Sequence, residues 1–437
     1  QLLLSMKKLI IASLFLLGIT GLHAQQQTIV GTDIDNFWIA YDKIVSTTDT
    51  VLQYQYLNDL YISKGSPGLV DMMSVRNYTA EDYLDAINNY PLFWPSMREN
   101  TKQYKNTYAE IEQNIFKLKA IYPSLMPSTI YFTIGAFSSN GTILNNHVLI
   151  GSELAFGDTT TVISEFPEYR QQYFKVFEPK KNLALLCTHE YVHTQQKIPL
   201  DNLLSYCIYE GIAEFVSCLA TGKPSTSPAI AFGKTNTSLV ANKFAADMFN
   251  GNIYDWMWGE NSNELKIRDL GYFIGYEISE RYYNAATDKQ QAIKDLIELD
   301  YTNEDVVEHI VDQTQLLPKT LENLWADFEL SRPKVLALQP FENNATNVQP
   351  GMTDIVFTFS QPVDVCCQGL DYGPLGAAAF TPIPIEHRNF SPDGKTWTIK
   401  LNLEPGKQYQ YVLSTNFRDA QGNRLKPYLL DFTTAPK

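Results

Sequence analysis

The sequence predicts an α+β protein in two parts: a mainly helical part carrying a small β-sheet, and then an all-β sandwich. Three observations predict it. Apolar residues recur at helical spacing from Asp33 onward, as in Phe37, Ala40 and Tyr41. The period shortens to that of a strand only briefly, around residues 128–135 and 146–154. Beyond Arg332-Pro333, short strand candidates alternate with Gly, Pro, Asn and Asp turns.

The elements follow in order. Met6-Lys7-Lys8 is a short positive region, residues 9–22 form a mostly apolar run, and Leu22-His23-Ala24 precedes three glutamines. This predicts a bacterial Sec-type signal peptide over residues 1–24, with residues 1–5 read as a start-site artefact, and hence a secreted or periplasmic protein. Helical periodicity over residues 33–120 is closed by Pro123, and aromatics such as Trp38, Tyr61 and Trp94 are expected in its core. Ser138-Ser139-Asn140-Gly141 reads as a loop between the two strand segments. Helices are expected over residues 180–197, 203–221, 267–283 and 290–299, the second stopped by Gly222 and Pro224. On this reading residues 25–332 form one domain and residues 333–437 another, with strands at 354–359, 396–401 and 408–413. No stretch after the signal is expected to span a bilayer.

With 437 residues, 44% of them hydrophobic, a sizeable core is within reach. The formal net charge of −14 argues against nucleic acid as a partner, because phosphate binding requires a basic face. Five cysteines leave at least one thiol outside any intramolecular bond. Cys207 and Cys218 are about three helical turns apart, too far to bond within one helix, and are expected as small buried hydrophobes. The adjacent Cys366-Cys367 pair has no firm reading from sequence.

The chemistry lies in His189-Glu190-Tyr191-Val192-His193. Four residues make about one helical turn, so both imidazoles leave one face and can share a metal. Glu190 lies beside them, within reach of a metal-bound water as general base. With six His and 48 acidic residues in the chain, chance yields on the order of 0.005 such motifs, so coincidence is the weaker reading. A catalytic zinc takes three protein ligands and leaves one position open. Cys187 is too close in sequence to join easily and His147 lies before the helix. The better source of a third ligand is Tyr209-Glu210-Gly211-Ile212-Ala213-Glu214-Phe215. Glu210 and Glu214 are i and i+4 on an otherwise apolar helix, so one can bind metal while the other orients a ligand imidazole.

HExxH followed by EGxAE resembles the gluzincin metallopeptidases. Residues 33–330 more closely resemble the predicted zinc-dependent proteases related to the gliding-motility lipoprotein GldB. That likeness rests on DIDNFW, the YFTIG…GT…IGSE strand region, HEYVHTQQ, EGIAEF and GYFIGY. The resemblance implies a zincin-like domain holding one catalytic Zn2+ on His189, His193 and Glu210, with Glu214 behind them and a peptide or protein as substrate. It further implies an oxyanion donor from a later helix, for which Tyr272 is the first choice and Tyr276 the alternative. In the resembled fold a strand such as residues 148–153 borders the cleft, where an extended peptide can add to an exposed edge. Residues 333–437 resemble a bacterial Ig-like domain of surface-layer and secreted proteins, through Val356-Phe357-Thr358-Phe359, Ser391-Pro392-Asp393-Gly394 and Phe432-Thr433-Thr434 among others. That implies contact with a cell surface or polymer. The competing reading is a non-catalytic envelope or surface protein that keeps a peptidase fold for binding or assembly. The intact HExxH with Glu210 weighs against it, and a purely structural zinc would want a fourth protein ligand.

Overall fold

The structure, a computed structural model, describes residues 29–259 and 265–436; the expected signal peptide, residues 1–24, lies outside them. In chain order the elements are β1 (Ile29–Val30), α1 (Thr32–Ile44), α2 (Thr50–Leu60), α3 (Pro67–Arg76), α4 (Ala80–Asn89), α5 (Phe93–Lys102) and α6 (Tyr108–Ile121). Next come β2 (Thr129–Thr133), β3 (Gly141–Leu144), β4 (His147–Gly151), α7 (Ser152–Ala155), α8 (Glu168–Phe177), α9 (Pro179–His193) and α10 (Leu203–Thr221). Then follow α11 (Pro228–Thr235), α12 (Thr237–Asp247), α13 (Leu270–Ala285), α14 (Lys289–Ile297), α15 (Glu304–Gln313) and α16 (Leu321–Ser331). The chain finishes in β5 (Val335–Gln339), β6 (Gly351–Phe359), β7 (Leu370–Tyr372), β8 (Arg388–Phe390), β9 (Thr396–Leu403), β10 (Gln408–Leu413) and β11 (Tyr428–Thr433). The protein is thus α+β, helical first and all-β last. Local sequence sets many helix starts. The Asp49 carboxylate accepts the Val51 and Leu52 amides ahead of α2, Ser66 with Pro67 opens α3, and Thr79 with Asp82 forms a capping box on α4.

Backbone contacts divide the chain into two units. The first takes the described part of Gln1–Ile198 together with Tyr209–Ala231 and Ala286–Leu299. Its sheet has the order β1-β2-β4-β3, in which β1, β2 and β4 run parallel and β3 returns antiparallel to β4. Helices cover both faces, so Ile130, Tyr131 and Phe132 are all buried, as parallel strands require. One consequence corrects a sequence expectation. The segment proposed as a cleft-bordering strand, residues 148–153, is β4 followed by α7, and β4 lies inside the sheet. The edges are the two-residue β1 and β3, and β3 begins at the very Gly141 that sequence placed in a loop. Aromatic packing fills the helical core, with the Phe37 ring against Trp38, Tyr61 and Trp94.

The segment leading into β3, residues 134–140, has no regular secondary structure, yet buried side chains hold its amides. The Ile134 amide donates to Tyr61 Oη at 3.0 Å, those of Gly135 and Phe137 to the two Glu153 oxygens at 2.8 and 3.1 Å, and that of Ser138 to Tyr78 Oη at 2.8 Å. Phe137 takes a left-handed backbone (φ 66°), and Arg170 Nη1 caps its carbonyl at 2.5 Å.

The second unit takes Pro199–Ile208, Phe232–Ala285 and the described part of Asp300–Lys437. Within it, two sheets, β11-β10-β7 and β5-β6-β9-β8, enclose a core that includes Phe357, Trp397, Tyr409, Tyr411, Phe417 and Phe432. The boundary expected near Arg332 is closely stitched. Arg332 donates to the Arg424 and Leu425 carbonyls at 2.9 and 2.7 Å, and Arg424 donates to the Asn250 carbonyl at 2.6 Å. Cys366 and Cys367 are bonded to each other, and Cys187, Cys207 and Cys218 are buried, as expected of small hydrophobes. By length and composition α10 is apolar enough to cross a bilayer, contrary to expectation, but two-thirds of its most apolar stretch is buried in the protein.

Candidate metal centre

The centre is assembled from α9 and α10. Pro179 opens α9, and the helix is buried almost throughout its second half because it is packed on β3, β4 and α6. Tyr191 anchors it to the start of β2: its hydroxyl accepts the Ser128 amide at 2.8 Å and donates to the Met126 carbonyl at 3.2 Å. The opposite side of the same turn presents His189 and His193, with ring centroids 4.7 Å apart. Tyr209 stacks on His193 at 4.2 Å between centroids, and the next residue, Glu210, turns its carboxylate to both rings.

His189, His193 and Glu210 form a group that can hold a metal ion. His189 Nε2 and His193 Nε2 are 3.0 Å apart, and Glu210 Oε2 is 3.4 Å from the first and 3.2 Å from the second. Donors about 2.0–2.1 Å from a tetrahedral zinc are separated by about 3.3 Å, so the spacing suits that ion.

The hydrogen-bond partners sharpen the argument. Gln196 Nε2 donates to the Tyr209 carbonyl at 3.0 Å, which leaves Gln196 Oε1 to accept from His193 Nδ1 at 2.7 Å. His189 Nδ1 faces Glu214 Oε2 at 3.0 Å, and the other Glu214 oxygen accepts from Ser225 Oγ. With Nδ1 of each ring taken up in these contacts, the two Nε2 atoms are left facing each other and the Glu210 carboxylate. Two imidazole nitrogens and a carboxylate oxygen converging in this way offer a cation three donor atoms. Charge agrees: Glu190, Glu210 and Glu214 surround two imidazoles. Burial disfavours a charged His189, but the Glu210 and Glu214 carboxylates outweigh it and hold the ring basic. Burial likewise works against the Glu210 carboxylate, and His193 and His189 more than offset it, keeping its pKa below the usual range.

Glu190 is buried beside the ligands but is not one of the three. Burial pushes its carboxyl above the ordinary range against the pull of His193 and His189. It rests on the edge strand: a Cβ built on Gly141 would stand 2.6 Å from Glu190 Oε1. Only a glycine lets the carboxylate lie there. Tyr272 and Tyr276 lie on α13, in the second unit, whereas every ligand belongs to the first. The Tyr272 hydroxyl accepts from Trp258 Nε1 at 3.3 Å, and the Lys234 ammonium sits 5.0 Å from the Tyr276 ring centroid. His147, an early alternative ligand, is engaged with Asp71 at 2.6 Å.

The two-sheet sandwich of the second unit has a match among known families. Residues 330–434 match the bacterial Ig-like domain. Curated proteins give no match. Among solved structures, domains 1–6 of the surface layer protein SbsC match at 14% identity over 65% of this chain and 44% of that one, with a TM-score of 0.18. A longer structure of that protein, rSbsC(31-844), matches at 12% identity over 92% of this chain and 45% of the other, with a TM-score of 0.18. The chain therefore spans less than half the length of these surface-layer proteins. The catalytic module of the metalloprotease ZmpA from Clostridium perfringens matches at 12% identity over 92% of this chain and 74% of that one, with a TM-score of 0.19. None of these superpositions is close enough to carry an argument about activity.

Among the described residues the Ig-like domain contributes nothing to a metal-holding group. Sequence reasoning missed four contributors to the centre: Gln196, Tyr209, Ser225 and Gly141. Gln196 was visible as i+3 from His193 in HTQQ. Tyr209 was visible only as the neighbour of Glu210. Gly141 was visible only as a loop glycine and in the GT of the strand region, and nothing in the sequence marks Ser225; both roles depend on chain reversals.

Proposed function

We propose that the protein is a secreted zinc-dependent peptidase. The observation that carries this reading is the convergence of three metal-donor atoms, His189 Nε2, His193 Nε2 and Glu210 Oε2, beside a buried carboxylate that is not a ligand. His189, His193 and Glu210 hold the zinc, and Glu214 and Gln196 orient the two rings. A zinc bound there supplies Lewis acidity toward a carbonyl oxygen and acidifies water. Glu190 takes the proton from the attacking water on its carboxylate and returns it to the leaving amine. Its raised affinity for a proton suits a group that must carry one between two steps. Tyr272 is the proposed donor to the oxyanion. The edge strand β3 offers main-chain groups to an extended peptide, which supports peptide rather than small-molecule hydrolysis. The signal-like N-terminus and the Ig-like domain support action outside the cytoplasm, with the Ig-like domain touching a surface or polymer.

The test is elemental analysis joined to catalysis. The protein should retain about one zinc per chain after dialysis. Glu190→Gln should keep that zinc while hydrolysis of casein or a quenched peptide library falls roughly 10²–10⁴-fold. Tyr272→Phe should also keep zinc and lower kcat more than it raises KM. A folded chain that takes up no zinc, or zinc-loaded protein that cleaves nothing in the panel, would sink the proposal.

A further inference from the structure

Arg76, at the C-terminal end of α3, is half-buried and has no acidic partner among the described residues. Arg98, Arg268, Arg281 and Arg332 each pair with a carboxylate, and Arg170, Arg388 and Arg424 each donate to a backbone carbonyl; Arg76 does neither. Among the described residues no carboxylate lies within ion-pairing distance of Arg76, and its Nε is buried without an acceptor. A guanidinium in that state is costly to fold unless something else satisfies it.

Its one hydrogen bond fixes where it sits. Arg76 Nη2 donates to Ser139 Oγ at 2.8 Å, and Ser139 Oγ donates to the Gly141 carbonyl at 2.6 Å. Gly141 is the first residue of the edge strand and the residue against which the Glu190 carboxylate rests. Arg76 is therefore anchored at one particular end of β3, beside the general base.

Direction then selects the ligand. A peptide that extends the sheet by pairing antiparallel with β3 runs from the Leu144 end toward the Gly141 end. Its C-terminal side arrives at Ser139 and Arg76. A planar fork of N–H donors matches a carboxylate. We infer that Arg76 is a specificity-determining residue that binds a substrate carboxylate, the free C-terminus of a peptide lying on β3. The inference rests on the peptidase reading and narrows it to cleavage within a few residues of a free C-terminus.

The experiment uses the full chain, zinc-loaded, with Glu190→Gln so that turnover is slow against the binding measurement. Three labelled peptides of one sequence are compared by fluorescence anisotropy: a free acid, its C-terminal amide, and an amide ending in Glu. The free acid should bind about tenfold or more tightly than the plain amide, the scale of a charge-assisted bidentate contact. Adding Arg76→Gln should erase that preference, and Arg76→Lys should keep part of it, with zinc content unchanged and the melting temperature no lower. Equal binding of acid and amide, or a preference that survives Arg76→Gln, overturns the inference. If the amide ending in Glu binds as tightly as the free acid, the terminal assignment is overturned. Should the preference hold while the wild-type, zinc-loaded protein hydrolyses none of the peptides, the peptidase reading falls and the carboxylate site stands.

Discussion

Substituting Gly141 by Ala tests how the general base is held. The added Cβ would stand 2.6 Å from Glu190 Oε1, 2.9 Å from its Cγ and 3.0 Å from its Cδ. Ordinary contact begins at about 3.4 Å, so the carboxylate must retreat by about 0.8 Å. The atoms displaced are the far end of a flexible side chain, so stability should change little. The lost backbone freedom of the unfolded chain works in favour of Ala by about 0.4–1 kcal/mol. Catalysis should be less forgiving, since a displacement of roughly 1 Å can cost on the order of 100-fold. Gly141→Ala is therefore expected to melt near the wild-type temperature, hold about one zinc per chain, and lose roughly 10–100-fold in kcat on a quenched peptide. Because the effect runs through Glu190, the double variant with Glu190→Gln should be hardly slower than Glu190→Gln alone. Additive losses in the double variant, or loss of zinc from Gly141→Ala, would refute the placement of Glu190 against the edge strand.

Two further predictions concern other buried carboxylates. Glu214→Ala removes the acceptor of His189 Nδ1 and should weaken zinc binding about 10–100-fold in chelator competition. Ser225→Ala leaves that acceptor in place and should weaken it less; the reverse order would mean that Glu214 does not orient the ring. Burial pushes Glu153 from an ordinary 4.5 up to about 7, against the Gly135 and Phe137 amides and the Arg170 charge. The folded chain then keeps a proton that the unfolded chain releases. The resulting stability is fully present below about pH 4.5 and is lost as pH rises through about 7, a change of about 3 kcal/mol. In urea titrations the stability of wild type minus that of Glu153→Gln should fall by that amount from pH 4.5 to 8, and a flat or rising difference would contradict it.

Much of the helical frame was legible because it rests on local periodicity. The span of α10 matches the sequence reading residue for residue, and α9 differs only at its ends. The HExxH turn and the Glu210–Glu214 pair were legible for the same reason, since one helical turn is a local rule. What escaped was non-local. Strand β3 is short, begins with a glycine and is half-exposed throughout, so it carries no burial alternation to read. The two-residue β1 exists only because β2 offers it a partner. Residues 152–155 are apolar enough to prolong a strand, but they turn into α7 and so bring Glu153 back under the 135–137 backbone. Ser225 is eleven positions from Glu214 and meets it only after the chain turns at Gly222, which has a φ of 73°.

The tethering of residues 134–138 bears on the entropy of recognition. A wall that must settle around its ligand loses freedom at the moment of binding, and affinity falls accordingly. Here Tyr61, Tyr78 and Glu153 immobilise the approach to the edge strand during folding, at the expense of the core. An arriving peptide has only its own disorder to surrender. In hydrogen exchange the amides of Ile134, Gly135, Phe137 and Ser138 should be as slow in the free protein as those of neighbouring β2, although the segment belongs to no helix or strand.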